Sequence, residues 1–258
     1  MAGSLAGQVI LNTRPARQQA GLAALLEADG ARVLPFPAIE ISAVEATPFH
    51  LALARTVADY DILIFISRNA VDGAFRFLGE APLPATLQLG VIGSATREAV
   101  RHRIGEQGGR LIESEPFNSE ALLAAAALQQ VDGKRILIFR GQAGRNLLGD
   151  ELGRRGARVD YCEVYRRELP ALDTDGFNRL TAAQFPTLAI LTSNEGMHNL
   201  LRLVDTKAAA RLCGIPWLLI SERMRESALK LGHNAPIIIA GSASDNGMHE
   251  TICAWAAS

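Results

Sequence analysis

Two similar lobes, each a doubly wound α/β sheet of parallel strands, are expected from three features of this 258-residue chain. The first is a repeat. Arg14 and Arg140 each follow an apolar run, and Gly30-Ala31-Arg32-Val33 returns as Gly156-Ala157-Arg158-Val159. Ile64-Phe65-Ile66-Ser67-Arg68-Asn69 is echoed by Ile190-Leu191-Thr192-Ser193-Asn194-Glu195, and Ser94 by Ser221. The first three pairs lie 126 residues apart and the fourth 127, so four landmarks share one order and nearly one offset. That means two copies of one unit, with a cleft expected between them. The second feature is short runs that are apolar throughout rather than alternating, as suits parallel strands covered on both faces. The third is the order strand, turn, helix, glycine, strand, the grammar of a doubly wound sheet.

In chain order, residues 8–13 form the first expected strand. Residues 16–29, with Ala20, Ala23, Leu25 and Leu26, read as a helix closed by Gly30 as its C-cap. A strand at 32–36 leads into Pro35-Phe36-Pro37-Ala38-Ile39-Glu40-Ile41, an extended passage whose prolines discourage helix. Strands follow at 61–66 and 87–92, then a helix over 94–104 ending at Gly105. The second copy opens with a strand at 135–139, a helix over 144–155 ending at Gly156, and a strand at 157–162. Glu163-Val164-Tyr165-Arg166-Arg167-Glu168-Leu169-Pro170 is the counterpart of the first proline-marked passage. Strands at 187–192, 216–220 and 236–239 close the chain, with a helix over 222–231 ending at Gly232. If the two proline-marked passages, 37–41 and 163–170, are linker strands, one lobe combines 1–36 with 171–258 and the other spans 42–162.

Bulk properties narrow the function. Each half is long enough to bury its own core, and 48 % apolar content with only 5 % aromatic residues makes that core aliphatic. A formal charge of −1 argues against a nucleic-acid partner, although net charge hides local arginine clusters. Cys162, Cys213 and Cys253 have no metal-ligand or CxxC spacing, so buried thiols in a reducing compartment are expected. The opening Met1-Ala2-Gly3-Ser4-Leu5 lacks a basic n-region and an apolar h-region, and no run approaches a membrane span. The expectation is a soluble cytoplasmic protein, monomeric by default, with no membrane partner.

Ligands of open parallel sheets bind outside the carboxyl ends of the strands. Those positions hold Thr13-Arg14, Ser67-Arg68-Asn69, Gly93-Ser94-Ala95-Thr96, Arg140-Gly141-Gln142, Thr192-Ser193-Asn194 and Ser221-Glu222-Arg223. Ser, Thr and Asn cap helices there, and the free N–H groups and positive dipole end of each helix favour an anion. With Arg14, Arg68, Arg97, Arg140 and Arg223 nearby, several such ends facing one cleft suit a ligand of many negative charges. A single turn of this kind does no more than cap a helix in most α/β proteins; its recurrence in both copies is what gives the set weight. Glu195 and Glu222 read as first-turn acids that complement the dipole. Enzyme templates are missing: no GxGxxG follows a strand, and there is neither a GxxxxGK[ST] loop nor a GxSxG elbow. His50, His102, His198, His233 and His249 show no HxxxH or HxH spacing, so no metal site is expected. Tyr165, one of three tyrosines, lies on an expected crossing. It either donates a hydrogen bond or proton into the cleft or packs the linker.

These residues resemble the uroporphyrinogen-III synthase family over nearly the whole chain. The resemblance rests on Thr13-Arg14-Pro15, Phe65-Ile66-Ser67-Arg68-Asn69-Ala70-Val71 and Val91-Ile92-Gly93-Ser94-Ala95-Thr96. It continues through Ile138-Phe139-Arg140-Gly141 with Gly144-Arg145, Val164-Tyr165, and Leu191-Thr192-Ser193-Asn194-Glu195-Gly196. It implies two α/β lobes joined by a two-stranded linker, the first lobe discontinuous. It also implies closure of hydroxymethylbilane, a linear tetrapyrrole, to uroporphyrinogen III with loss of water and inversion of ring D. No cofactor and no metal are implied. The substrate carries eight carboxylates, which suits N–H nests and a few arginines. Tyr165 matches the family's linker tyrosine and is the candidate for assisting hydroxide departure. Ser67, Ser94, Thr96 and Ser193 match turns that line the cleft. They join Thr13, Arg14, Asn69, Arg140, Gly141, Asn194 and Ser221 as the expected substrate-binding set. A Gly-x-x-Thr type of turn in the family reads Ser221-Glu222-Arg223-Met224 here, with Arg223 as the substitute contact. The substrate is expected to arrive from the preceding deaminase.

Two other readings compete. A non-catalytic, solute-sensing binder of small anions also fits two Rossmann-like lobes, but no signal peptide or helix-turn-helix segment accompanies it. A sugar-phosphate or nucleotide transferase would need a phosphate loop or acidic metal site, and neither is found.

Overall fold

In a computed structural model, residues 3–105, 110–115, 118–144, 146–171 and 174–258 are described. Met1, Ala2 and Arg145, which entered the sequence motifs, lie outside them. The chain divides into two compact units, Met1–Glu40 with Glu168–Ser258, and Ile41–Arg167.

The first unit holds strands β1 (Val9–Asn12), β2 (Arg32–Pro35), β9 (Leu188–Ile190), β10 (Trp217–Leu219) and β11 (Ile237–Ile239). Their order is β11-β10-β9-β1-β2, with every described pairing parallel. Helices α1 (Ala20–Ala28) and α11 (Asp245–Ala256) cover one face, and α7 (Thr174–Leu180), α8 (Asn194–Leu203), α9 (Thr206–Cys213) and α10 (Glu222–Lys230) the other. The strands explain the uniform apolar runs. Ile10, Leu188, Ile190 and Leu218 pack with Leu22, Leu26, Met248 and Ile252. Their neighbours Val9, Leu11, Ala189 and Trp217 pack with Met197, Leu200 and Leu212. With both faces of the central strands covered, their side chains are apolar up to the strand ends, where Asn12 closes β1, while the edge strand β2 begins with exposed Arg32. Each fully buried Leu or Ile contributes about 1.5–3 kcal/mol.

The second unit holds β4 (Ile62–Phe65), β5 (Gln88–Val91), β6 (Arg110–Ile112), β7 (Arg135–Gly141) and β8 (Arg158–Glu168), with β3 (Glu40–Ala43) beyond β8 at the edge. The order is β3-β8-β7-β4-β5-β6, and β4 to β8 pair in parallel. Leu63, Phe65, Leu89, Leu137 and Phe139 face α2 (Pro48–Thr56), α3 (Arg68–Leu78) and α4 (Ser94–Ile104). Ile62, Ile64, Ile136 and Ile138 face α5 (Ser119–Ala124) and α6 (Leu147–Arg154).

Read as β6-β5-β4-β7-β8, the second sheet repeats β11-β10-β9-β1-β2 place for place. The sequence offset makes the same match: β7 and β8 start 126 residues after β1 and β2, and β9 starts 126 after β4. The same unit is therefore built twice, with its segments entered in a different chain order. Gly30 and Gly156, equivalent in the repeat, both take positive φ, +91° and +88°, where a side chain would be strained.

Some elements depart from the sequence reading. The helix expected over 16–29 is a 3₁₀ turn, Ala16–Gln18, followed by α1, and the helix expected from 144 starts at Leu147. Both delays fall at a strand end, where Thr13-Arg14 and the Gly141–Gly144 turn hold the backbone out of the helix. The strand expected at 157–162 and the crossing at 163–170 merge in β8, one strand from Arg158 to Glu168.

Candidate active site

In each sheet the order reverses at one pair of strands, β4 and β7 in the second unit, β1 and β9 in the first. These switch points are where a doubly wound sheet opens a crevice at its strand carboxyl ends.

In the second unit, β4 runs out into Ser67, whose extended backbone starts α3. Ser67 Oγ accepts from Ala70 N–H at 3.2 Å, satisfying one of the helix's free donors. The same oxygen lies 3.1 Å from the Tyr165 hydroxyl, with either able to donate. Tyr165 reaches that spot because the β7–β8 register slips: Arg140 faces Glu163, but Gly141 faces Tyr165. The extra residue, Val164, breaks the alternation, so Val164 and Tyr165 are both buried. Gly141 completes the seat, since a Cβ there would come within 2.8 Å of the tyrosine ring. Gln142 N–H donates to the Tyr165 carbonyl at 2.9 Å, and Arg167 Nη2 lies 3.4 Å from the hydroxyl. The phenol is thus fixed beside the positive end of α3, near a serine and a guanidinium, with only 3 % of the residue exposed.

Arg140 holds its own loop. Its guanidinium donates to Asn146 Oδ1 at 2.8 Å and the Gly144 carbonyl at 3.1 Å, pairs with Glu163 at 3.1 Å, and stacks 3.8 Å from the centre of the Tyr161 ring. Its Nε is buried with no partner among the described residues. Asn69 is half-buried in the first turn of α3, and exposed Arg68 has no partner among the described residues. Helix α4 follows Gly93, which offers no side-chain cap, so Ser94 and buried Thr96 sit at an uncapped N-terminus. Arg97 pairs with Glu113 at 3.2 Å.

The first unit arranges its switch point differently. Thr13 is buried and donates its hydroxyl to the Ile190 carbonyl at 2.6 Å, locking β1 to β9. Arg14 bonds Asp245 Oδ1 at 2.6 Å. Gln19 Nε2 donates to the carbonyls of Asn12 and Arg14 at 3.1 and 2.6 Å. Ser193 caps α8 through Gly196 N–H at 3.0 Å, as Ser67 caps α3. Ser221 starts α10 without a side-chain cap bond, matching the uncapped α4, and the exposed Arg223 side chain has no partner among the described residues. Glu195 and Glu222 occupy first turns, as expected.

The structure thus joins Ser67, Gly141 and Tyr165 directly, and ties Thr13 to the strand that runs into Ser193. Sequence reasoning passed over Asn12, fully buried at the end of β1, whose Nδ2 has no partner among the described residues. Asn194 Oδ1, in the first turn of α8, is buried and partnerless likewise. The only sequence signal for Asn12 is an amide at the last position of an otherwise apolar strand. A groove of about 620 Å³, walled by Phe75, Leu83, His102 and Arg103, lies at the C-terminal ends of α3 and α4. These are the far ends of helices that begin at the strand-end rim, so that groove is not part of the site.

One α/β unit built twice, with polar groups gathered where each sheet reverses, defines a duplicated member of the class that binds ligands at strand carboxyl ends. The family model described as uroporphyrinogen-III synthase HemD matches residues 20–249. The uroporphyrinogen-III synthase of Escherichia coli is 32 % identical over 228 residues, covering 86 % of this chain and 91 % of that protein. That of Salmonella typhimurium is 32 % identical over 226 residues, with the same coverage. Among solved structures, a mutant uroporphyrinogen III synthase of Thermus thermophilus superposes with TM-score 0.60 at 18 % identity, over 96 % of this chain and 97 % of that one. The enzyme of Helicobacter pylori gives 0.60 at 15 %, over 96 % and 99 %. The chain belongs to the uroporphyrinogen-III synthase family, and with it to the enzymes of tetrapyrrole synthesis. The solute-sensing alternative is not favoured. Among the described residues no helix is long and apolar enough to cross a membrane.

Proposed function

We propose that this protein is a cyclising hydro-lyase that closes hydroxymethylbilane to uroporphyrinogen III. The pyrrole nitrogens expel the ring A hydroxyl as water and leave an azafulvene-like cation. Ring D attacks through its substituted carbon, passes through a spiro intermediate and recloses inverted, and loss of a proton restores the neutral macrocycle. Because the substrate supplies its own electrons, the protein's tasks are to help the hydroxyl leave and to hold the chain in the pose that leads to type III. No cofactor enters this chemistry.

The observation that carries the reading is the Tyr165 hydroxyl, held 3.1 Å from Ser67 Oγ at the N-terminus of α3. A phenol so placed can hydrogen-bond a departing hydroxyl and hand over its proton. The uncapped starts of α4 and α10, at Ser94 and Ser221, and the buried Asn12 Nδ2, a donor without a partner among the described residues, support carboxylate binding at the strand ends. Asn69, Thr96, Gly141, Ser193 and Arg223 belong to the same proposed set. Thr13, Arg14 and Arg140 shape its loops through the bonds that the Thr13 hydroxyl, Arg14 Nη1 and the two Arg140 Nη atoms make, which leaves the buried Arg140 Nε as a donor without a partner among the described residues. We further take the protein to be a cytoplasmic monomer that receives its substrate from the preceding deaminase.

The test is product identity. Purified protein given hydroxymethylbilane should yield mainly the type III isomer, whereas the uncatalysed reaction closes to type I. Type I product at the no-protein rate sinks the assignment.

A further inference from the structure

Away from the strand-end rim, three side chains with metal-ligating atoms, one of them at least 220 residues from the other two, meet within the first unit. Asp29 is the C-cap of α1, and His249 and Cys253 lie one turn apart on α11. His249 Nε2 is 2.7 Å from Asp29 Oδ2. Cys253 Sγ is 3.4 Å from that same oxygen and 3.5 Å from that same nitrogen. The Ser4 hydroxyl donates to the sulfur at 3.6 Å. One oxygen, one nitrogen and one sulfur therefore form a triangle, all within 4.8 Å of one another.

Asp, His and Cys together serve two chemistries. A nucleophile relay needs the carboxylate on one ring nitrogen, the thiol on the other, and a thiol that ionises easily. Here both neighbours address Nε2, so carboxylate and thiol converge on one ring nitrogen instead of lying on opposite ones. The geometry is convergent rather than linear, which is the arrangement of a ligand set. Tetrahedral zinc with ordinary Zn–S, Zn–N and Zn–O bonds spaces its ligand atoms roughly 3.3–3.6 Å apart. Both sulfur distances already fall there. The short one is the His249–Asp29 hydrogen bond, whose place an ion would take.

We propose that Asp29, His249 and Cys253 bind one zinc ion, with water or the Ser4 hydroxyl in the fourth position. The mixed nitrogen, oxygen and thiolate set suits zinc over magnesium or calcium. Zinc replaces the thiol proton, which leaves to solvent, and the imidazole keeps its remaining proton on Nδ1 while Nε2 ligates. The ion would clamp the end of α1 to α11, independently of the cyclisation chemistry.

Cobalt(II), titrated into the reduced, metal-free full-length protein, reports thiolate ligation directly. One equivalent should give a sulfur-to-cobalt charge-transfer band with tetrahedral visible bands, and zinc should bleach both. Affinity should fall about tenfold for each pH unit lowered, because one proton competes for the sulfur. Cys253→Ser should abolish the charge-transfer band while circular dichroism stays unchanged; Cys162 and Cys213 are buried elsewhere. In the unaltered protein, one equivalent of zinc should protect Cys253 from alkylation, read by mass spectrometry. Absence of the band at one equivalent, its survival in Cys253→Ser, or alkylation of Cys253 indifferent to zinc each overturns the site.

Discussion

Tyr165 and Ile39 occupy equivalent places in the repeat, 126 residues apart, and both are buried beside a buried partner, Val164 and Ala38. Their surroundings match as well: Tyr165 meets Ser67, and Ile39 lies near Gly196 at the cap made by Ser193. One copy of the scaffold thus carries a hydroxyl where the other carries a methyl group. Duplication supplied two frames, and at this place a single residue gives only one of them a phenol hydroxyl. Tyr165→Phe keeps the ring and its packing, so it should leave the melting temperature nearly unchanged and lower kcat by up to about a hundredfold. The low end of general-acid effects applies because the hydroxyl also departs without a protein. An unchanged kcat takes Tyr165 out of the chemistry. Gly141→Ala makes the complementary change: it keeps the hydroxyl but pushes on the ring from 2.8 Å. It should destabilise the protein by about 1–3 kcal/mol and slow turnover as well, measured by denaturant unfolding and kcat together.

Helix starts show how much one element can do with the same residue. Ser67 and Ser193 cap α3 and α8 with the same bond, to Ala70 and Gly196 N–H. Replacing either with Ala should cost about 0.5–2 kcal/mol of stability. Only Ser67→Ala also removes the nearer of the two groups that the Tyr165 hydroxyl meets, so only that variant should lower kcat; equal kinetic losses from both would refute the division of labour. These capped turns were legible in the sequence, since a serine after an apolar run and before a helix has one obvious job. The strands were legible for a related reason, because burial on both faces leaves an unbroken apolar signature. The β-bulge was not: no residue type at Arg140-Gly141 or Glu163-Val164-Tyr165 announces a register slip, which arises only when two strands pair. Short β6 and the Asp29–His249–Cys253 cluster escaped for the same cause, the latter because 220 residues separate Asp29 from His249. Arg14 and Arg140 were legible as arginines at strand ends but not as the partners of Asp245 and Glu163.

At the scale of the whole molecule, charge decides how a ligand with eight carboxylates is met. Twenty-six basic and 27 acidic residues leave a net charge of −1, so no overall field draws such a polyanion in. In the proposed site, attraction comes from local groups: helix N-termini without a side-chain cap at Ser94 and Ser221, exposed Arg68 and Arg223, and the buried Asn12 Nδ2. Groups of this kind act within about one Debye length, roughly 10 Å at 0.1 M salt and 3 Å at 1 M. Raising salt across that range should therefore raise KM several-fold. In the proposed mechanism, the chemical step depends on the substrate's own pyrrole electrons and on the Tyr165 hydroxyl rather than on screened charges, and should keep its kcat and its type III product. Arg223→Met should raise KM at low salt and flatten the salt dependence, because it removes one of the charges being screened. A KM indifferent to salt would mean that shape, not charge, holds the substrate, and the strand-end anion sites would lose their role. A kcat that fell with salt while KM stayed constant would instead place the charged groups in the transition state, acting on the departing hydroxyl rather than on the carboxylates.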